Sequence, residues 1–174
     1  MFKRSFTLFE IIISIILISL VYYFAVSSFT NNTFRKKDNI NLLNLKEELL
    51  KYEYNDNITV KCVDDTFDCF IFKDGVVEDT KIVSLFKEKP TVYTYRQNYE
   101  TVEFPYLELE QLQRYDVVFQ YSCKSNNRCS EYIVQTDDLV YVMNNIYKEA
   151  LTFKYLNEVD DFFIQNIEKV KDAF

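Results

Sequence analysis

The sequence predicts an α+β protein in which a long amino-terminal helix packs on an antiparallel β-sheet domain, with a further helix near the carboxyl end. Three observations predict it: an apolar amino-terminal run that continues into an amphipathic stretch, a middle part of short β-prone runs, and helical spacing of apolar residues in the last twenty positions. At 174 residues, the chain has room for one ordinary domain and an appendage.

The first part of the predicted helix is apolar. No side chain is charged from residue 11 to residue 34. Because about 20 apolar residues cross about 30 Å of hydrocarbon, we expect a transmembrane segment over about residues 6–29, in contact with membrane lipid. A secretory signal peptide and a plain signal anchor are the alternatives. Neither explains Glu10, a carboxylate that is costly in a spanning helix unless it is paired.

The second part of the predicted helix is amphipathic. Leu42, Leu45, Leu49 and Tyr52 follow a 3, 4, 3 spacing, and charged residues lie between them. We therefore predict one helix over residues 6–54, with a transmembrane half and an amphipathic half that packs on the domain formed by residues 55–174.

That domain is predicted to consist of antiparallel strands and a terminal helix. Asp74-Gly75 is the strongest hairpin turn signal. Apolar residues at helical spacing predict a helix over residues 156–170. The predicted strands cover residues 58–63, 67–72, 76–77, 91–95, 115–121, 131–135 and 139–143.

The cysteines fall into two local pairs, Cys62 with Cys69 and Cys123 with Cys129. Each pair flanks a predicted turn, so local disulfides are favoured among the three possible connectivities. Disulfides persist in oxidising compartments, whereas the alternative is four reduced cysteines in a cytosolic body. A zinc site is not favoured, because neither spacing fits and the chain has no His.

The composition excludes most enzymes and most nucleic-acid binders. The chain has no His and one Gly, so it lacks the commonest general base and a phosphate-binding loop. The first 37 residues hold five of the 20 bases and one of the 27 acids, which leaves 15 bases and 26 acids in the rest. Direct nucleic-acid binding is therefore not expected. Acidic clusters at 64–68, 137–138 and 160–161 are interpreted as solvated turns in preference to calcium sites, and the aromatic stretch 93–106 as sheet packing.

Residues 3–10, KRSFTLFE, stand directly before the apolar run. This pattern resembles the class III signal of type IV pilins and of the pilin-like proteins of type II secretion and competence systems. In that family, a prepilin peptidase removes a short basic leader before a Phe and methylates the new amino terminus. The resemblance implies a leader over residues 1–5, with Lys3 and Arg4 as its charges. Cleavage would fall between Ser5 and Phe6.

In the same family, the acid at the fifth mature position pairs with the amino terminus of a neighbouring subunit during assembly. Glu10 would hold that position, so its desolvation cost would make assembly depend on one register. Ser27 stands where many major pilins have Pro, which favours a minor pilin or pseudopilin. The resemblance does not distinguish type II secretion, a type IV pilus and DNA uptake for natural transformation.

The resemblance implies a single-pass protein of the inner membrane, with a cytoplasmic amino terminus and a periplasmic carboxyl-terminal domain, later incorporated in a pilus or pseudopilus. Its partners would be the prepilin peptidase, other pilin-like subunits through the amino-terminal helix, and the assembly platform with its ATPase. No cofactor, metal or enzymatic activity is expected. The alternative is a membrane-anchored periplasmic binding protein that does not polymerise.

Overall fold

The structure, a computed structural model, describes residues 8–30, 35–37, 40–96, 98–109 and 113–171. The chain divides into two compact units, Met1–Thr33 and Phe34–Phe174. The first unit contains helix α1, Leu8–Thr30. The second unit, called the body below, contains β1 (Arg35–Lys37), α2 (Leu45–Leu50), β2 (Asn57–Val63), β3 (Cys69–Lys73), β4 (Val76–Ile82), β5 (Thr91–Thr94), β6 (Leu107–Leu109), β7 (Gln113–Tyr115), β8 (Val117–Lys124), β9 (Tyr132–Gln135), β10 (Val140–Met143), β11 (Leu151–Phe153) and α3 (Leu156–Lys171).

The single long helix predicted over residues 6–54 is wrong. Helix α1 ends at Thr30, residues 35–37 form a strand, and α2 has only six residues. Before α2, the backbone N–H of Asn41 donates to Oδ1 of Asn44 at 2.8 Å, and the N–H of Asn44 donates to Oδ1 of Asn41 at 3.1 Å. Such local bonds compete with helical ones, which explains why the helix does not begin before Leu45.

The body contains a five-stranded sheet in the order β1-β4-β3-β2-β8 and a four-stranded sheet in the order β11-β10-β9-β5. The predicted antiparallel pairing is confirmed at every strand pair except the parallel pair of β1 and β4. Asp74 and Gly75 form the predicted turn between β3 and β4, with φ angles of 50° and 84°. Both angles lie in the left-handed region that this type of turn requires.

The main core lies between the two sheets. The five-stranded sheet contributes alternate residues of β2, Ile58, Val60 and Cys62, which are fully buried. Leu45 and Leu49 of α2 join the same core, so the spacing of the predicted amphipathic stretch does identify a buried face. Hydrophobic burial of this kind is the main stabilising term in folding.

Each sheet is also covered on its other face. Helix α3, which matches the predicted terminal helix, packs Val159 and Phe163 on the four-stranded sheet. On the five-stranded sheet, Val63 and Phe70 pack with Leu107 of the β6-β7 hairpin. The body is therefore layered, and each sheet has packed apolar side chains on both faces.

Candidate functional site: interaction surfaces

Helix α1 presents apolar side chains around its circumference. Its side chains are described for residues 8–22, and all of them are exposed. The large apolar ones range from 40% exposed at Ile13 to 77% at Leu8. A helix that is apolar all round is stable only when other apolar groups cover it. Helix α1 is therefore the strongest candidate for an interaction surface.

Glu10 lies in the first turn of α1. A negative charge at this end of a helix interacts favourably with the helix dipole. Its backbone carbonyl oxygen accepts a hydrogen bond from the Ser14 hydroxyl at 2.7 Å. The carboxylate is thus compatible with the helix and is exposed among apolar neighbours.

The predicted membrane span is wrong. Among the residues that the structure describes, no helix is long and apolar enough to cross a membrane. This finding overturns the predicted transmembrane helix and the predicted single-pass location in the inner membrane with a periplasmic body. It also counts against the pilin and pseudopilin assignments in so far as they depend on such a span.

The other residues of the predicted processing signal, Lys3, Arg4, Ser5 and Phe6, lie outside the described residues. The structure therefore places only Glu10 of that signal. Leader removal at Ser5 and Phe6, and methylation of the new amino terminus, stay predictions.

Both predicted disulfides are present. Cys62 on β2 is bonded to its strand partner Cys69 on β3. Cys123 on β8 is bonded to Cys129, which faces it in an isolated antiparallel bridge. All four residues are buried and none is a free thiol. The cysteines therefore fasten neighbouring strands and offer no nucleophile.

Two residues of the first acidic cluster and one of the aromatic stretch make structural contacts. Asp68 pairs with Lys81 at 2.7 Å, and Asp64 pairs with Lys89. No group of three or more metal-ligating side chains occurs in the described ranges. In the aromatic stretch, Phe104 meets Tyr132 edge to face, with ring centroids 5.9 Å apart. Phe104 therefore packs on the four-stranded sheet, as predicted for this stretch, whereas Tyr106 at its end is 66% exposed.

The loop formed by residues 144–149 follows β10, and hydrogen bonds hold its backbone. The Lys46 ammonium donates to the carbonyl oxygens of Asn144 at 3.0 Å and Tyr147 at 2.8 Å. Burial lowers the pKa of Lys46, and the nearby Glu131 carboxylate opposes this shift. The Asn144 side chain accepts bonds from the N–H groups of Ile146 and Tyr147, at 3.0 Å each. The Asn144 side chain and the carbonyl groups of Asn144 and Tyr147 therefore serve contacts within the body.

Two more hydrogen bonds join the same loop to the turn that the Cys123–Cys129 disulfide closes. Asn145 accepts a bond from the N–H of Cys129 at 2.7 Å and donates to its carbonyl oxygen at 2.8 Å. The apolar side chains point the other way, since Ile146 is 80% exposed and Tyr147 is also exposed. Hydrogen bonds therefore hold the backbone of this loop in place, and two of its apolar side chains are exposed to solvent.

A groove of about 540 Å³, called the β5 groove below, lies on another part of the body. Val92, Val102 and Phe104 are among its apolar lining residues, and Tyr106 is exposed beside them. Glu103 and Asp116 add exposed carboxylates to its lining.

The sequence reasoning missed the 144–149 loop and the β5 groove. The signal for the loop was Asn144-Asn145 directly after an apolar strand, a turn dipeptide followed by Ile146 and Tyr147. The groove had no such signal, because residues far apart in sequence form it and only the folded chain brings them together.

Comparisons with known proteins do not add to this picture. No family model matches the chain, and no match was found among curated proteins or among solved structures.

Proposed function

We propose that this chain is a non-enzymatic structural subunit that assembles with other subunits through helix α1, in the manner of the pilin-like proteins that residues 3–10 resemble. The observation that carries the proposal is the exposed apolar surface of α1, with Glu10 in its first turn. Packing of such helices against each other would bury that surface. The body would then be the part that each subunit carries on the assembly.

Glu10 gives the proposed contact its selectivity. A carboxylate in an apolar helix contact costs free energy unless a cation lies opposite. A positive charge that the neighbouring copy places at that level would offset this cost. This requirement would fix the register of neighbouring helices.

The body supports this role because it is well fastened. Its two sheets share one core, and two disulfides cross-link neighbouring strands. Among the described residues, Lys46, Asn144 and Asn145 use their polar groups for contacts within the body. A rigid body of this kind suits a structural subunit.

The test compares assembly of the full-length chain with that of three variants, by sedimentation velocity after removal of detergent. Ile15→Asp places a charge on α1, where Ile15 is 58% exposed, and Glu10→Ala removes the selective charge. Val76→Asp is the matched control, because Val76 is 70% exposed on the body. We expect large assemblies for the parent and the control, and at least a tenfold loss for the two α1 variants. Equal assembly of all four proteins, or a monomeric parent, would refute the proposal.

A second experiment examines the processing signal. The mass of the amino-terminal peptide is measured for protein from its own cells and for Ser5→Lys. We expect a methylated peptide that begins at Phe6, and loss of this peptide in the variant. A native peptide that still begins at Met1 or Phe2 would contradict the pilin-like mode of assembly.

A further inference from the structure

We propose that the 144–149 loop of one copy docks in the β5 groove of the next copy, forming a head-to-tail contact between bodies. This inference deepens the proposed function and rests on it in one respect, that the partner is a second copy of this chain. The contact uses surfaces of the body alone and does not involve α1.

The loop is preorganised for binding. Its backbone is held by Lys46 and by the side chains of Asn144 and Asn145. Binding therefore does not have to order the loop, and an interface gains affinity when this cost is avoided. Ile146, at 80% exposed, and Tyr147 are the apolar anchors that the loop offers.

The groove offers matching chemistry. Its apolar lining includes Val102 and Phe104, which suit an inserted Ile or Tyr side chain. Thr101 lines the groove and pairs with Tyr93 of β5 in an antiparallel bridge. On either side of this pair, the Thr94 N–H donates to the carbonyl oxygen of Glu100, and the Val102 N–H donates to that of Val92. In that pattern, the N–H and C=O groups of Thr101 point away from β5. They can therefore bond the backbone of an inserted loop.

Charges are also complementary. Lys148 follows the two apolar anchors and is exposed, as is the neighbouring Glu149, so Lys148 is the charge of the loop that matches the groove. The groove presents the exposed carboxylates of Glu103 and Asp116, while its cation, Lys89, is paired with Asp64. Insertion of the loop would bring Lys148 to the carboxylates. Opposite charges across an interface fix its register and disfavour wrong partners.

The loop and the Thr91 side of the groove lie at opposite ends of the four-stranded sheet. Thr91, the first residue of β5, pairs with Gln135, which in turn pairs with Val140 at the start of β10. The loop follows Met143, at the other end of β10. A contact between two different surfaces at opposite ends is heterologous and does not close into a symmetric dimer. It leaves a free loop and a free groove for further copies, and so supports an open chain.

The experiment is thiol cross-linking of the full-length protein in a non-ionic detergent, which covers α1 and suppresses contacts between helices. Glu149→Cys places a thiol beside the loop, and Thr101→Cys places one beside the groove. The two single variants are mixed and treated with a short bismaleimide, which reacts with free thiols and leaves the disulfides intact. We expect at least tenfold more cross-linked dimer in the mixture than in either variant alone.

Second-site changes identify the residues involved. Ile146→Asp, added to Glu149→Cys, is expected to lower the cross-linked fraction at least tenfold, whereas Val76→Asp in the same background leaves it unchanged. Lys148→Glu is expected to lower it, and Glu103→Lys in the other partner to restore it. A yield in the mixture no higher than in the single variants, or no effect of Ile146→Asp, would overturn the proposal. A cross-link between two Glu149→Cys copies that exceeds the mixed product would also overturn it, since it indicates a symmetric contact.

This design separates the inference from the proposed function. Glu10→Ala is expected to leave the loop-to-groove cross-link unchanged in detergent, while it weakens assembly without detergent. If the cross-link forms but detergent-free assembly is insensitive to α1, only the proposed role of α1 fails. If assembly depends on α1 and the cross-link is absent, only the contact between bodies fails.

Discussion

The Nζ atom of Lys46 lies 3.0 Å from the carbonyl oxygen of Asn144, and both residues are buried. Lys46 belongs to α2, whereas Asn144 follows β10. Their hydrogen bond joins α2, near the start of the body, to the loop that follows β10. A buried ammonium is costly unless carbonyl oxygens replace its water, and here two of them do.

We expect Lys46→Met to lower the free energy of unfolding by about 2 kcal/mol, because two carbonyl oxygens would lose a charged donor. Amide exchange of Ile146 and Tyr147 would become faster, since their loop would lose its anchor. Urea unfolding and hydrogen exchange measure the two effects. Lys51→Met is the control, because Lys51 pairs with Glu48 at the exposed end of α2 and exposed pairs of this kind contribute little to stability. Equal effects of the two variants would contradict this role of Lys46.

The disulfides are expected to have different local effects. Replacing either pair by Ala would lower the free energy of unfolding by about 2.5 kcal/mol, from the entropy of the unfolded chain. Only the loss of Cys123–Cys129 would also speed amide exchange of Ile146, because Cys129 bonds the side chain of Asn145. The Cys62–Cys69 pair is the matched control for this second effect. If exchange of Ile146 is the same in both variants, the proposed link between hairpin and loop is wrong.

The sequence predicted the local features of this fold better than the distant ones. The Asp74-Gly75 turn, the terminal helix and both disulfides depend on neighbouring residues, and the structure confirms them. The long helix failed because periodicity near Leu45 identifies a buried face without fixing helix length. The Asn41 and Asn44 side chains, whose bonds precede the start of α2, have no periodic signal.

The residues of the candidate interaction surfaces also differ in how well the sequence predicts them. Glu10 stands out in the sequence as a charge before an apolar run. Lys46 does not, because it looks like any lysine on an amphipathic helix. Its burial depends on carbonyl groups of Asn144 and Tyr147, about a hundred positions later, and periodicity carries no information on such pairs.

Tyr121→Phe is expected to stabilise the protein by about 1 kcal/mol, because the variant no longer buries an unpaired polar group. The Tyr121 side chain is fully buried, and among the described residues its hydroxyl has no hydrogen-bond partner. Thermal unfolding at neutral pH measures the change. Tyr106→Phe is the control, since Tyr106 is 66% exposed. Destabilisation by Tyr121→Phe would show that the hydroxyl is paired in solution.

The same variant has a predicted pH dependence. Burial, followed by the charges of Glu131 and Tyr132, raises the pKa of Tyr121 above the usual 10.0. The folded chain then keeps a proton that the unfolded chain has lost, so the free energy of unfolding falls as the pH rises above 10.0. We expect a smaller fall in Tyr121→Phe than in the parent. Parallel curves for the two proteins between pH 9 and pH 11, roughly the range around this usual pKa, would contradict the prediction.

Asp74→Asn is expected to destabilise the body at neutral pH. The Asp74 carboxylate accepts N–H bonds from Asn55 at 2.9 Å, Asp56 at 2.7 Å and Asn57 at 3.0 Å. These bonds lower the pKa of Asp74 below its usual 3.8, and the bond from Asn55 has the largest effect. The stabilisation is present above that value and is lost as the pH falls through the folded pKa. The urea midpoints of parent and variant should therefore converge in acid, and a constant difference would exclude the charge as the cause.

The pairing of Lys46 with residues 98 and 101 positions later also affects the order of events during synthesis. During synthesis, α2 leaves the ribosome long before the loop whose carbonyl oxygens bind the Lys46 ammonium is made. Long-range contacts of this kind delay folding until most of the chain is available. The two disulfides, by contrast, close loops with sequence separations of 7 and 6. Each hairpin can be cross-linked while the rest of the body is still unfolded, which shortens the search that completes the fold.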